Sequence, residues 1–190
     1  RGEIYRSDRV GKNWTKPQKL KADINLAGYT NTQPYYGAVK YGNRSFDALY
    51  FVSDRPGGRG GLDIWFAEVE DRKGFKKPVN CGSGINSPGN EVSPYYNSTE
   101  KTIYFSSDYW WGMGGYDVFK SFYNESTGTW SEPVNLDYAV NTPDNDFLYI
   151  TNASEKTAFF ASTRTSVNGE VTVYKVNLER ITVDFTIIKV

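Results

Sequence analysis

No histidine occurs in this chain, and its one cysteine is Cys81. That removes Ser-His-Asp and Cys-His nucleophilic systems and the usual His-ligated zinc site, and leaves carboxylate, tyrosine, lysine and arginine chemistry. The carboxylates that stand out come in matched pairs. Asp54 and Asp108 close the aromatic runs Tyr50-Phe51-Val52-Ser53-Asp54 and Tyr104-Phe105-Ser106-Ser107-Asp108. Asp63 and Asp117 follow the glycine pairs Gly60-Gly61 and Gly114-Gly115. A carboxylate beside a glycine-rich loop accepts hydrogen bonds from backbone N–H groups. All eight residues are therefore expected to be structural parts of a repeat. A Ca²⁺ site takes about six or more oxygens, and these loops supply too few, so neither a metal nor a cofactor is expected.

A second set of residues suits recognition. Arg55 and Arg59 lie in the first glycine-rich loop, and Tyr109, Trp110, Trp111 and Met113 in its counterpart. Aromatic rings beside arginine serve protein interfaces and glycan platforms. Adjacent residues of a loop cannot easily both turn inward, so one of the two tryptophans is expected at the surface. Glu91 and Asp146 should open inner strands beside a central channel. Cys81 falls in a column otherwise filled by Leu20 and Leu136 and reads as a small core residue.

The elements that must position these groups are repeated. Trp14, Phe75 and Trp130 form one column, followed by Pro17, Pro78 and Pro133, and then by Ile24-Asn25, Ile85-Asn86 and Val140-Asn141. A period of roughly 50 residues with aromatic strands and glycine turns marks a β-propeller blade or a β-solenoid. In the clearest copy, alternation and turn residues predict strands over 91–96, 102–107, 116–123 and 130–136. No long segment carries the 3.6-residue period of an amphipathic helix. The expected fold is all-β, a β-propeller of four-stranded antiparallel blades. The blades are a partial one over 1–46, full ones over 47–100 and 101–155, and a partial one over 156–178. Residues 179–190 are either a last blade strand or the start of a β-sandwich. At about 54 residues per unit the chain holds roughly three and a half blades, where closure takes about 4–8; it therefore reads as an excerpt of a longer protein. Because the strands alternate in direction, the connectors between blades and the loops between second and third strands should share one face.

The charge is balanced at 22 basic and 22 acidic residues, which leaves no electrostatic footprint for DNA or RNA. No apolar run reaches membrane-spanning length, so no direct membrane insertion is expected.

Two resemblances follow from the motifs. The segments 8–14, 71–75 and 125–130 resemble degenerate Asp-boxes of sialidase-type propellers, which in that family are folding elements remote from the active site. The runs Leu49-Tyr50-Phe51-Val52-Ser53-Asp54-Arg55-Pro56-Gly57-Gly58, Gly61-Leu62-Asp63-Ile64 and Ile85-Asn86-Ser87-Pro88-Gly89-Asn90-Glu91-Val92-Ser93-Pro94 resemble the TolB-like, WD40-like repeats of Bacteroidetes OmpA-family envelope proteins. The PorE-type architecture of type IX secretion and gliding is similar. This resemblance implies a periplasmic, outer-membrane-associated protein whose partners are envelope or secretion-system proteins, with peptidoglycan bound through another domain. It supplies no catalytic residues. The function expected is a non-catalytic protein-interaction scaffold, not an enzyme; the alternative is a carbohydrate-binding or sialidase-like propeller.

Overall fold

The computed structural model describes residues 1–41, 43–70, 74–152, 154 and 156–178. Among them every regular element is a strand, and no helix is long and apolar enough to cross a membrane. The chain opens with β1 (Tyr5–Arg6), β2 (Arg9–Val10), β3 (Asn13–Trp14) and β4 (Gln18–Lys19), where β1 pairs with β4 and β2 with β3. The second sheet, in sequence order, is β5 (Asn31–Tyr41), β6 (Arg44–Ser53), β7 (Asp63–Glu68) and β8 (Val79–Asn80). The third holds β9 (Glu91–Asn97), β10 (Thr102–Ser107), β11 (Asp117–Asn124), β12 (Thr129–Trp130) and β13 (Val134–Asn135), and the fourth β14 (Asp146–Thr151), β15 (Thr157–Ser162) and β16 (Thr172–Asn177). All pairings are antiparallel. The sequence units 47–100 and 101–155 each open in or beside the second strand of one sheet and close just after the first strand of the next. Residues 71–73 of one Asp-box-like turn, and 179–190, lie outside the described residues.

The strand predicted over 130–136 is two short pieces. β12 pairs with Tyr123 and Asn124, and β13 with Phe119 and Lys120. Between them Pro133 has no N–H to give a ladder. The Ser131 hydroxyl fills the gap by accepting from Phe122 N at 3.0 Å.

Sheets stack face against face, and this explains the unbroken apolar run Leu49-Tyr50-Phe51-Val52: a strand covered on both sides has no polar face to show. Leu49 and Phe51 join Ile4, Ile24, Trp65 and Ala67 against the first sheet. Ala48, Tyr50 and Val52 face the other way and meet Ile85 of the connector and Val92, Tyr96, Ile103 and Phe105 of the third. Tyr104, Val118, Tyr149 and Phe160 make the next layer. Each of these large side chains contributes about 1.5–3 kcal/mol on burial.

The inner strands converge. The Tyr35 hydroxyl donates to the Tyr96 carbonyl at 2.7 Å, Ser93 N to Gln33 Oε1 at 2.7 Å, and Tyr95 O–H to the Thr151 carbonyl at 3.3 Å. Each inner strand also slips register against its neighbour at one point, between Thr32 and Tyr35, opposite Tyr104 to Ser106, and between Phe147 and Ile150.

Candidate functional site

Connectors and strand-two-to-three loops are bonded into one surface. Gly61 N donates to Gly89 O at 2.8 Å and Gly115 N to Asp144 O at 3.1 Å, so the loop of one sheet lies on the connector leading to the next. A Cβ at Gly60 would strike the Ser87 and Gly89 carbonyls, and one at Gly114 those of Thr142 and Asp144. Only glycine allows this approach.

Asp54 Oδ1 accepts from Thr30 N at 2.6 Å and Asp108 Oδ1 from Asn90 N at 2.7 Å, each capping the residue that precedes an inner strand. Thr163 does the same in the fourth sheet through its hydroxyl, on Asn145 N at 3.1 Å. That accounts for threonine where the other repeats carry aspartate. The glycine-loop donors go instead to Asp63 and Asp117. Asp63 Oδ2 takes Arg59 N, and Asp117 Oδ2 takes Met113 N at 2.8 Å and Gly114 N at 2.9 Å.

The two arginines of the first loop part company. Arg55 is 7% exposed. Its guanidinium donates to Ser53 Oγ at 3.1 Å, Asp23 O at 2.8 Å, Asn31 Oδ1 at 2.7 Å and the Ile24 carbonyl, and lies over the rings of Phe51 and Trp65 at 4.7 and 5.3 Å. Burial lowers its pKa. Arg164 repeats the device on Ser162 Oγ, the Val140 carbonyl and Asp146, over Phe160 and Tyr174. In the third sheet the equivalent carbonyl, Ile85 O, is taken by Trp110 Nε1 at 3.1 Å. Trp110 is therefore the anchor of its loop.

Anchoring by Trp110 leaves its neighbours outside. Trp111 is 95% exposed, Tyr109 54% and Met113 42%. Tyr109 Cβ packs beside Gly89, the residue on which Gly60 and Gly61 also rest. Exposed Arg59 and the Tyr109–Met113 loop thus flank one connector, with Asp54 and Asp108 exposed on the same loops.

Glu91 and Asp146 open the inner strands but have no surface exposure. Asp146 meets Arg164 at 2.8 Å and accepts from Thr142 N at 2.7 Å. Glu91 has hydroxyl and amide partners in place of a cation: Ser87 N at 2.8 Å, Ser107 Oγ at 2.7 Å and the Ser87 hydroxyl. Burial raises its pKa against the pull of those hydrogen bonds, and burial raises that of Asp63 as well. A carboxyl raised in the folded state contributes stability below its unfolded pKa, and that contribution is lost as pH climbs through the folded value. Glu91→Gln should therefore raise the melting temperature at pH 7–8 by about 2–4 °C, a change of about 1 kcal/mol for a chain of this size. The difference should vanish near pH 4. Equal shifts at both pH values in melts of the two proteins would mean that Glu91 is not held in this way.

Sequence reasoning missed the bulges. Gln33, Ser93 and Leu148, the third residues of the three inner strands, have φ of 47°, 56° and 58°. Non-glycine residues at positive φ cost about 1–3 kcal/mol each and gather at functional sites. No glycine marks these positions; the only signal was their common column.

No family model matches the chain, and no curated protein matches it significantly. Among solved structures it is similar to the Penicillium chrysogenum alpha-L-arabinanase complexed with arabinobiose, at 15% identity and a TM-score of 0.59 over 91% of this chain. The chain spans about half of that structure, 53%. The likeness shows the fold, an all-β, propeller-like stack of antiparallel sheets. It also corrects two expectations. The similar structure is an arabinanase, so the expectations of a non-catalytic interaction scaffold and of a chain that is no enzyme lose their support.

Proposed function

We propose that these sheets are blades of a glycan-active propeller, about three and a half of them lying in this chain, and that the loop face carrying Tyr109, Trp111 and Met113 binds a glycan. The observation that carries the reading is Trp111, 95% exposed on a loop whose other tryptophan is tied to Ile85 O. A large apolar ring standing in water gains by covering its face, and the loop that carries it is fixed through Trp110. Its flat face suits the C–H face of a sugar ring, and the exposed Asp108 carboxylate on the same loop suits hydroxyls. Glu91 and Asp146 are sealed beneath the loops and are not the groups that touch the glycan. An envelope setting, periplasmic and outer-membrane-associated, is the location proposed, in keeping with the repeat resemblance.

The test compares two neighbouring tryptophans. Trp111→Ala should weaken binding of arabino-oligosaccharides, or of whichever glycan an array selects, by about 30-fold, the loss of about 2 kcal/mol expected of an aromatic anchor, with the melting temperature unchanged. Trp110→Ala should lower the melting temperature instead. Calorimetric titration and thermal melts of both variants check this. Unaltered glycan affinity in Trp111→Ala sinks the reading.

A further inference from the structure

We propose that the glycan taken by this face is uncharged, and that the face disfavours uronate- and sialate-bearing chains. The inference rests on the glycan reading above and concerns what arginine does here. Carboxylated sugars are held by guanidinium forks, because the planar donor pair matches a carboxylate in two parallel hydrogen bonds. The strand-two-to-three loops contain three arginines, Arg55, Arg59 and Arg164. Two of them are consumed by the fold.

Arg55 gives its donors to Ser53, Asp23, Ile24 and Asn31, with Phe51 and Trp65 against its plane. Arg164 gives its own to Ser162, Val140 and Asp146, with Phe160 and Tyr174 against its plane. The third member of the column is Tyr109, which carries no charge, and the carbonyl that the arginines serve elsewhere is served here by the next residue, through the Trp110 indole on Ile85 O. An arginine that an uncharged neighbour can replace in this way is a strap between connector and sheet. It is not an anion receptor. Among the described residues, Arg59 is the one exposed cation left in these three loops.

Exposed carboxylates outnumber it. Asp54, Asp108 and Glu170 lie in the loops, and the connectors add Asp23, Asp137 and Asp144 against Lys21, all exposed. Asp108 adjoins Tyr109 and is fixed by Asn90 N and Asn90 Nδ2, both at 2.7 Å. Its negative charge therefore stands at the edge of the aromatic platform. A negatively lined surface raises the local concentration of neutral or cationic ligands relative to anionic ones, and salt screens the effect over about 10 Å at 0.1 M.

The experiment is calorimetric titration of the chain with neutral arabino-, xylo- and cello-oligosaccharides, and with oligogalacturonate and sialyllactose, at about 50 mM and 300 mM salt. At least one neutral series should bind, the acidic ligands at least tenfold more weakly, with the gap narrowing at the higher salt. Asp108→Asn, which keeps an acceptor for Asn90 N, should narrow the gap at low salt. Oligogalacturonate or sialyllactose bound as tightly as the best neutral ligand, and lost in Arg59→Ala, would overturn the inference while sparing the glycan reading. Binding of neither class would overturn both.

Discussion

Asn86→Ala is expected to destabilise the chain by about 3–5 kcal/mol and to lower its melting temperature by roughly 10 °C. Asn86 is 1% exposed and uses its amide as a substitute strand. Its Oδ1 accepts from Ile64 N at 2.8 Å, and its Nδ2 donates to Ile64 O at 2.9 Å and to Asn80 Oδ1 at 3.0 Å. Alanine leaves the Ile64 N–H buried without a partner, at about 1–3 kcal/mol, and removes the two hydrogen bonds that Nδ2 donates, at about 0.5–1.5 kcal/mol each, while Ile64 O keeps Cys81 N at 3.1 Å. Asn86→Asp keeps the acceptor for Ile64 N but turns an oxygen toward Ile64 O and buries a charge, so it should be nearly as harmful. The same clamp recurs as Asn25 on Ile4 and Asn141 on Val118, at 2.8 Å from each backbone N–H. Urea denaturation gives the check: a midpoint within error of wild type would mean that the connector closes this gap without the side chain.

The clamp column was plain in the sequence as Ile24-Asn25, Ile85-Asn86 and Val140-Asn141, but its purpose was not. Spacing reveals that a residue recurs. It does not reveal which backbone group it meets across the sheet. Aromatic runs and glycine turns made the all-β, antiparallel class readable, since their period of two and their breakers act locally. Asp54 and Asp63 show where locality ends. Both adjoin the glycine loop, yet Asp63 takes its N–H groups and Asp54 reaches back to Thr30, a contact made only when the sheet closes. The positive φ at Gln33, Ser93 and Leu148 was equally hidden, because sheet-to-sheet packing imposes the bulge on residues that do not prefer it. Composition could not separate scaffold from glycan reader, because the same exposed aromatics serve both.

Arg55 offers the sharpest contrast between appearance and role. An arginine in a glycine-rich surface loop invites a ligand, and Arg55→Ala should instead unfold the chain more easily, by about 4 kcal/mol. The removed guanidinium spans the Asp23 and Ile24 carbonyls, the Asn31 amide and the Ser53 hydroxyl. Hydrogen bonds from a charged donor are worth about 1.5–3 kcal/mol each, and truncating the long stem opens a cavity between Phe51 and Trp65 that adds to the loss. Part of the total is offset, because burial lowers the Arg55 pKa and only the Asp23 charge works against it, with no ion pair to Arg55 among the described residues. Relieving a poorly compensated buried charge is favourable in itself. Arg55→Lys keeps the charge and loses the planar fork and the ring stacking, so it should recover little, about 1 kcal/mol of the 4. Arg55→Met restores the apolar contact with Phe51 and Trp65 without the charge and should do at least as well as lysine. Arg59→Ala, four residues away and exposed, should stay within about 0.5 kcal/mol of wild type. The four variants, unfolded in urea at neutral pH, give the order wild type and Arg59→Ala, then Met, Lys and Ala at position 55. Equal midpoints for Arg55→Ala and Arg59→Ala, with glycan binding lost only in Arg55→Ala, would make Arg55 a ligand residue and dissolve the strap on which the preference for uncharged glycans depends.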